Sequence, residues 1–521
     1  MKFKNIRFVF IGFVVFIVIF AIIQVVSNNK KNNNNQVVET KEINYQDNIR
    51  LGVCNLDTTN PLKTRNKHLL DVYQLVYEPL ISLDANYKIN LSLATEYAKT
   101  SATSYIVKID NSIKWSDGTN VTAYDVKYTV ELLKSTDNIY SENVKNITSV
   151  EAIDSSTVKF NLSEETYFFE YNLIFPIMCK DQFKDDDFFT SAKIANGTGA
   201  YKVSLISDNQ IILEKNENYR NQDQINKNVK TIYVNIFNGV GEVYNSFKIG
   251  NIDLMLTSSL SYEDYIGTIG YYVKEFKGRE YDYLSFNCND YLMSQKSVRQ
   301  AINYAIDRDN LVSAVYNNKY YPSTYVLDYG CFLYNYVSSG ANLEKAKEIL
   351  RGDGWNYTNN RWRKNGSIIS FNISVNSSNP KRCEAAKNIK EQLEQIGIPV
   401  YIYELSDGQY QYCLNNKNYQ TLLTGVYNSY SPDLNYFYGQ NNIANYKNEE
   451  VVNLIKDAKN ITDLKLLEEK YKSIISITKD DCPYASLYRN KEFLLINQNV
   501  VGSFNPNCYS VFRNFETWNR E

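Results

Sequence analysis

The chain has 521 residues, with 56 lysine and arginine side chains against 58 aspartate and glutamate, a formal net charge of −2. That length is enough for two or three packed units with their own cores, and the even spread of charge argues against a nucleic-acid partner, which usually leaves one basic face. A single histidine, His68, leaves little for a histidine-rich metal site or a histidine-based triad.

At the N-terminus Lys2, Lys4 and Arg7 precede an apolar run from Phe8 to Ile23, extended to Val26 across Gln24. As a helix this run approaches the roughly 30 Å hydrocarbon core of a bilayer. The basic flank predicts that the start stays inside and the remainder is exported. No small-x-small cleavage site follows cleanly, and the first cysteine, Cys54, lies beyond the window for lipidation. The expectation is an uncleaved membrane anchor over residues 1–26, with a cleaved signal as the alternative, and a polar tether at 27–47. It places the folded part on the outer face of the cytoplasmic membrane, at a Gram-positive cell surface.

From Ile49 to Val53 a short apolar strand leads into "CNLDTTNPL", where Pro61 stops regular structure. A helix is predicted over about 67–76, with His68 near its start in a surface or capping role. Alternation predicts strands at 104–109 and 157–162. Between them, "IKWSDGTNVTAYDVKYTVELLKS", residues 113–135, reads as a strand-like run, a Ser-Asp-Gly turn and an amphipathic helix. Asp117-Gly118 makes the turn, Thr122 and Asp125 form an imperfect capping box, and both aspartates are architectural. "GTGAY", residues 197–201, is a turn into a strand, and the following hairpin turns at Asp208-Asn209. "TIYVNIF", 231–237, is a strand, and 242–256 a helix followed by a strand. Helical periodicity dominates 297–317, 342–350 and 383–397, short strands lie between 371 and 426, and helices cover about 448–458 and 463–477. The pattern is α/β, with helices and strands interleaved throughout.

Eight cysteines in an exported chain allow four disulfides, yet they lie far apart and most sit among apolar or aromatic residues, as buried thiols do; their pairing stays open. The 45 tyrosines suit a polar cleft, because the ring packs while the hydroxyl bonds; a biased genome gives the same enrichment. Neither the phosphate loop (G-x-x-x-x-G-K followed by Ser or Thr) nor the G-x-S-x-G nucleophile elbow is present. No carboxylate pair stands out as a glycosidase would require. The chain does not read as an enzyme, and no cofactor or metal is implied.

Six segments in order carry a resemblance: "VYEPLISLDANYKINLSLATEY", the Trp115–Val126 block, "VRQAINYAIDRDNLV" at 298–312, "AKEILRGDGW", "LEQIGIPV" and "DCPYASLY". Their order resembles the family 5 extracellular solute-binding proteins of ATP-driven importers, the oligopeptide-, dipeptide- and nickel-binding group, over residues 48–495. The resemblance implies a two-lobed periplasmic-binding-protein-like fold (class II, large cluster C type) crossed twice by the chain. Lobe one would cover 48–284, with an inserted subdomain at about 75–190; lobe two would cover 285–488, and 489–521 would return to lobe one. It implies a receptor for a small solute, foremost a peptide, with separate membrane and ATPase subunits as partners. The Trp115 corner belongs to an outlying part of such a fold.

In peptide-binding members an aspartate in a G-x-x-x-D-Y-x-acid-P loop neutralises the ligand's amino group. "GVYNSYSPDLNYF", 425–437, matches on Gly425 and Tyr430 but holds Ser429 at the anchoring position and inverts the acid-proline pair as Pro432-Asp433. Either Asp433 takes over by a loop shift or the amine anchor is absent. The resemblance implies a cleft lined from four segments: Cys54, Leu56 and Asp57; Tyr281, Tyr283, Phe286 and Asn287; Tyr320 and Tyr325; and Val426, Tyr427, Ser429, Tyr430 and Asp433. Alternative readings are a membrane-anchored sensor with the same fold, a receptor for a non-peptide cargo such as a nickel complex, and a secreted hydrolase.

Overall fold

The computed structural model describes residues 46–521 apart from 192, 268–269, 338–339, 460 and 462. Its centre is an eleven-stranded mixed sheet. In chain order the strands are β1 (Asn48–Cys54), β2 (Tyr201–Ile206), β3 (Gln210–Lys215), β4 (Thr231–Phe237), β5 (Leu254–Thr257), β6 (Tyr271–Phe286), β7 (Tyr320–Pro322), β8 (Phe371–Asn376), β9 (Val400–Leu405), β10 (Thr421–Tyr427) and β11 (Tyr484–Asn497). They lie in the order β9-β8-β10-β6-β11-β5-β1-β4-β3-β2, with β7 paired to β11.

Two parallel regions flank an antiparallel middle. On one side β1 pairs in parallel with β4 and β5. On the other β8 pairs in parallel with β9 and β10, the helix Pro380–Glu394 making the β8-to-β9 crossover. The long strands β6 and β11 pair with each other across the middle. One apolar cluster gathers Leu51, Trp115, Phe160 and Trp518; another gathers Val298, Ile302, Phe371, Ile389 and Leu487. Smaller sheets stand apart, the largest an antiparallel set of 94–101, 104–109, 157–162 and 147–152. This mixed α/β arrangement is consistent with the two-lobed fold that the motif order implied.

The Trp115 corner is built as its sequence predicts. Trp115 is buried, Gly118 takes a φ of +89°, and Asp117 accepts from the Thr119 N–H at 2.9 Å and from Asn196 Nδ2 at 2.7 Å. Asp125 accepts from the Thr122 N–H at 2.7 Å and the Lys180 N–H at 2.8 Å, pinning the start of the helix Ala123–Ser135 to the chain near 180. Asp125→Ala orphans two backbone donors and is expected to cost about 2 kcal/mol of unfolding free energy; an unchanged denaturation midpoint would refute that role.

All eight cysteines are free thiols, five of them buried. Among the described residues no helix is long and apolar enough to cross a membrane. The longest, Leu464–Asp481, carries charges along its length and buries one face through Leu467, Tyr471 and Ile474. The expectation of a transmembrane anchor, with membrane attachment and a location at the membrane's outer face, is corrected on this finding. Residues 8–26, on which it rested, lie outside the described residues.

Candidate functional site

β6 and β11 run beside both parallel regions, and their ladder shifts register twice, between Lys277 and Tyr281 and again between Asp282 and Tyr283, the first gap being the wider. Residues 271–277 pair with 491–497, and residues 281–285 pair with 484–489. Between them Gly278, Arg279 and Glu280 stand opposite the single residue Asn490, whose Oδ1 accepts from the Glu280 N–H at 3.0 Å. Gly278 is required there, since a Cβ would lie 2.2 Å from Asn490 Oδ1.

At this break lies a cavity of about 150 Å³, lined by Lys67, His68, Leu256, Thr257, Ser258, Glu280, Tyr427, Asn490 and Glu492. Lys67 and His68 come from the helix Lys67–Tyr73. Its cap is Asn66, not His68: the Asn66 side chain accepts from the Leu69 N–H at 3.0 Å and donates to the Cys54 carbonyl at 2.7 Å. The helix start is thereby tied to the end of β1. Glu280 and Tyr427 face each other across the β6–β10 ladder.

The electrostatics of this corner are crowded. Lys67 hydrogen-bonds Glu492; burial would lower its pKa, but Asp71 and Glu492 outweigh that and hold it above the ordinary lysine value. Burial and the Lys67 charge push His68 down to about 4, so it is neutral at pH 7. Burial drives Asp71 up to about 7, with Lys67 opposing and Glu492 reinforcing. Glu280 is raised by burial, then by Asp282 and Glu492, against Arg382 and Lys67.

Of the residues expected from sequence, only Tyr427 lines this cavity. Tyr430 stands close by: the Arg279 guanidinium lies 4.4 Å from the Tyr427 ring and 4.0 Å from the Tyr430 ring. Tyr430 also stacks on Tyr87 at 5.7 Å and donates to the Cys508 carbonyl at 2.6 Å. Val426 is half-buried and pairs with Tyr281. Tyr281 and Tyr283 are buried and stacked at 5.2 Å, and Phe286 is fully buried in the second cluster. Asn287 donates to the Lys417 and Tyr419 carbonyls. Tyr320 stacks on Tyr316 at 4.0 Å, and the hydroxyls of Tyr325 and Thr478 meet at 3.0 Å.

Asp57 holds the loop after β1, accepting from Thr58, Thr64 and Arg65. Burial raises its carboxyl, but those bonds outweigh it and keep the pKa below the ordinary value. Cys54 and Leu56 are half-buried beside it. Ser429 is exposed and accepts from the Ser431 N–H. Asp433 accepts from the Asn435 N–H at 2.8 Å, with its carboxyl pushed up to about 6 by burial. Sequence reasoning missed Lys67, Glu280 and Glu492. A signal for two of them was available, an acid among the tyrosines of "GREYDY" and a lysine four residues before an aspartate.

Residues 88–448 match the model of the bacterial extracellular solute-binding proteins, family 5. The chain belongs to this family. It is an extracytoplasmic solute-binding receptor of ABC importers, not an enzyme. The receptor is 26% identical over 477 residues to the oligopeptide-binding protein AppA of Bacillus subtilis, covering 85% of this chain and 86% of that one. It is 23% identical over 432 residues to the probable D,D-dipeptide-binding periplasmic protein DdpA of Escherichia coli, covering 78% and 80%. Among solved structures, the unliganded open form of the murein tripeptide-binding protein MppA superposes with a TM-score of 0.78 at 16% identity, over 91% of this chain and 97% of that one. The nickel ABC transporter protein of Bacillus halodurans superposes with a TM-score of 0.77 at 16% identity, over 91% and 100%. Those two likenesses establish the shared fold.

Proposed function

We propose that the receptor captures a peptide in the cavity where β6 and β11 lose their ladder and hands it to separate membrane and ATPase subunits of an importer. In this reading 48–284 and 489–521 form one lobe, with the insertion at about 75–190, and 285–488 forms the other. The observation that carries it is the cavity itself, since its lining joins Lys67 and Leu256 from one side of the sheet to Tyr427 from the other, at the two strands common to both. Relatives named for oligopeptides and D,D-dipeptides support the peptide as cargo.

A volume of about 150 Å³ holds about five waters at ~30 Å³ each, short of the roughly 300 Å³ at which ligand pockets begin. A peptide therefore enters by widening the seam, as hinged binding proteins do. Among the described residues no group of three or more His, Cys, Asp or Glu side chains is placed to hold a bare ion; a metal complex brings its own donors and is told from a peptide by the mass of the released cargo.

Native mass spectrometry of the protein purified from its own cells, followed by extraction and fragmentation of the released mass, tests the reading. A peptide or peptide mixture is the expected result. A stoichiometric cargo without peptide bonds would overturn it.

A further inference from the structure

The cavity holds more negative charge than the protein cancels. Lys67 is its one cationic lining residue, and its ammonium is engaged by Glu492. Glu280 faces the same space; its backbone N–H donates to Asn490 Oδ1, and no described residue donates to its carboxylate. Asp71, one helical turn beyond Lys67 on the same face, is buried with an oxygen that has no hydrogen-bond partner. The neighbouring cations are already committed. Arg279 lies between the Tyr427 and Tyr430 rings, and Arg382 forms a two-point pair with Asp282 at 2.8 and 2.9 Å.

We propose that Glu280 is the counter-ion for an ammonium group of the cargo, foremost a peptide's amino terminus. An ammonium drawn from water into a confined site needs a carboxylate against it, and Glu280 is the lining carboxylate that no protein cation occupies. Tyr427, directly opposite on β10, offers a ring face to the same cation. Ser429 carries no charge. Asp433 lies outside the cavity lining and has one oxygen bonded to Asn435. The assignment rests on the cavity being the cargo site.

Two peptide libraries without lysine, one with free amino termini and one Nα-acetylated, separate the two ideas by affinity selection. The unmutated protein is expected to retain free-amine peptides at least about tenfold better. Glu280→Gln is expected to cut their retention about thirtyfold, the loss of one charged contact, and to leave acetylated peptides unchanged. Asp117→Asn, at the remote turn, controls for handling. The Glu280 carboxylate accepts no hydrogen bond from a described residue and stands at a ladder break, so the near-isosteric amide is expected to preserve the unfolding midpoint. Retention of neither library by the unmutated protein overturns the peptide reading and the anchor with it. Equal retention of both overturns the anchor alone. A preference that survives Glu280→Gln, above all one abolished by Asp433→Asn instead, overturns the assignment to Glu280. Selection of an acetylated library that contains lysine adds the other ammonium source: retention that depends on Glu280 supports the carboxylate's role and gives it to a side chain as well.

Discussion

Arg382→Met is expected to lower the unfolding free energy by about 3 to 5 kcal/mol, as removing one member of a buried ion pair does. The Arg382 and Asp282 side chains are 17% and 12% exposed and meet through two parallel hydrogen bonds. Asp282 belongs to β6 and Arg382 to the helix Pro380–Glu394, so the pair clamps a crossover helix to a central strand. Left alone, the Asp282 carboxylate keeps its desolvation cost without a partner. The double variant Arg382→Met with Asp282→Leu is expected to recover much of the loss, since an apolar pair carries no such cost. Urea titration of the three proteins measures this; a single variant within about 1 kcal/mol of the parent, the typical effect of an unremarkable substitution, rules the clamp out. The same pair explains Gly425: a Cβ there would lie 2.0 Å from Asp282 Oδ1 and 2.6 Å from Arg382 Nη2.

The second large effect is a pH profile. Asp71 has its carboxyl near 7 in the folded protein, against about 3.9 in an unfolded chain. Between those values the native state holds a proton that the unfolded state has released. Stability from this group is thus fully present below about pH 4 and lost as pH rises through 7. At ~1.4 kcal/mol per pKa unit, the swing is about 4 kcal/mol at most. Asp71→Asn, neutral at every pH, is expected to match the parent near pH 4 and to exceed it by pH 8, with Lys67 and Glu492 the charged groups facing the site. Denaturation midpoints of both proteins at several pH values decide it. A difference between them that does not change with pH would show that Asp71 is ionised throughout.

Much of the scaffold could be read from periodicity because it buries one face. The strands at 104–109, 157–162 and 231–237 alternate and sit where alternation puts them. The long strands were harder. β11 is buried along almost its whole length, and β6 is mixed in burial up to Glu280 and buried throughout from Tyr281, so neither shows a single period. Ala94–Ser101 is exposed at all but its first residue and gives no apolar signal at all. The site was the least legible part. Lys67, Glu280 and Glu492 are more than two hundred positions apart in pairs, and only the sheet order brings them together. The tyrosines that invited attention, Tyr281, Tyr283 and Tyr325, are packed inside; residues two apart on a strand share a face, and Tyr281 and Tyr283 use that to stack.

The missing rungs between Lys277 and Tyr281 have a mechanical meaning. β6 and β11 each keep a second neighbour at that point, since Glu280 pairs with Tyr427 of β10 and Asn490 with Tyr320 of β7. Load that elsewhere passes straight across the β6–β11 ladder is therefore routed through the outer partners at the gap. Glu280 stands where that detour begins, so a charge taken up at its carboxylate acts on the strand pair that still carries the connection.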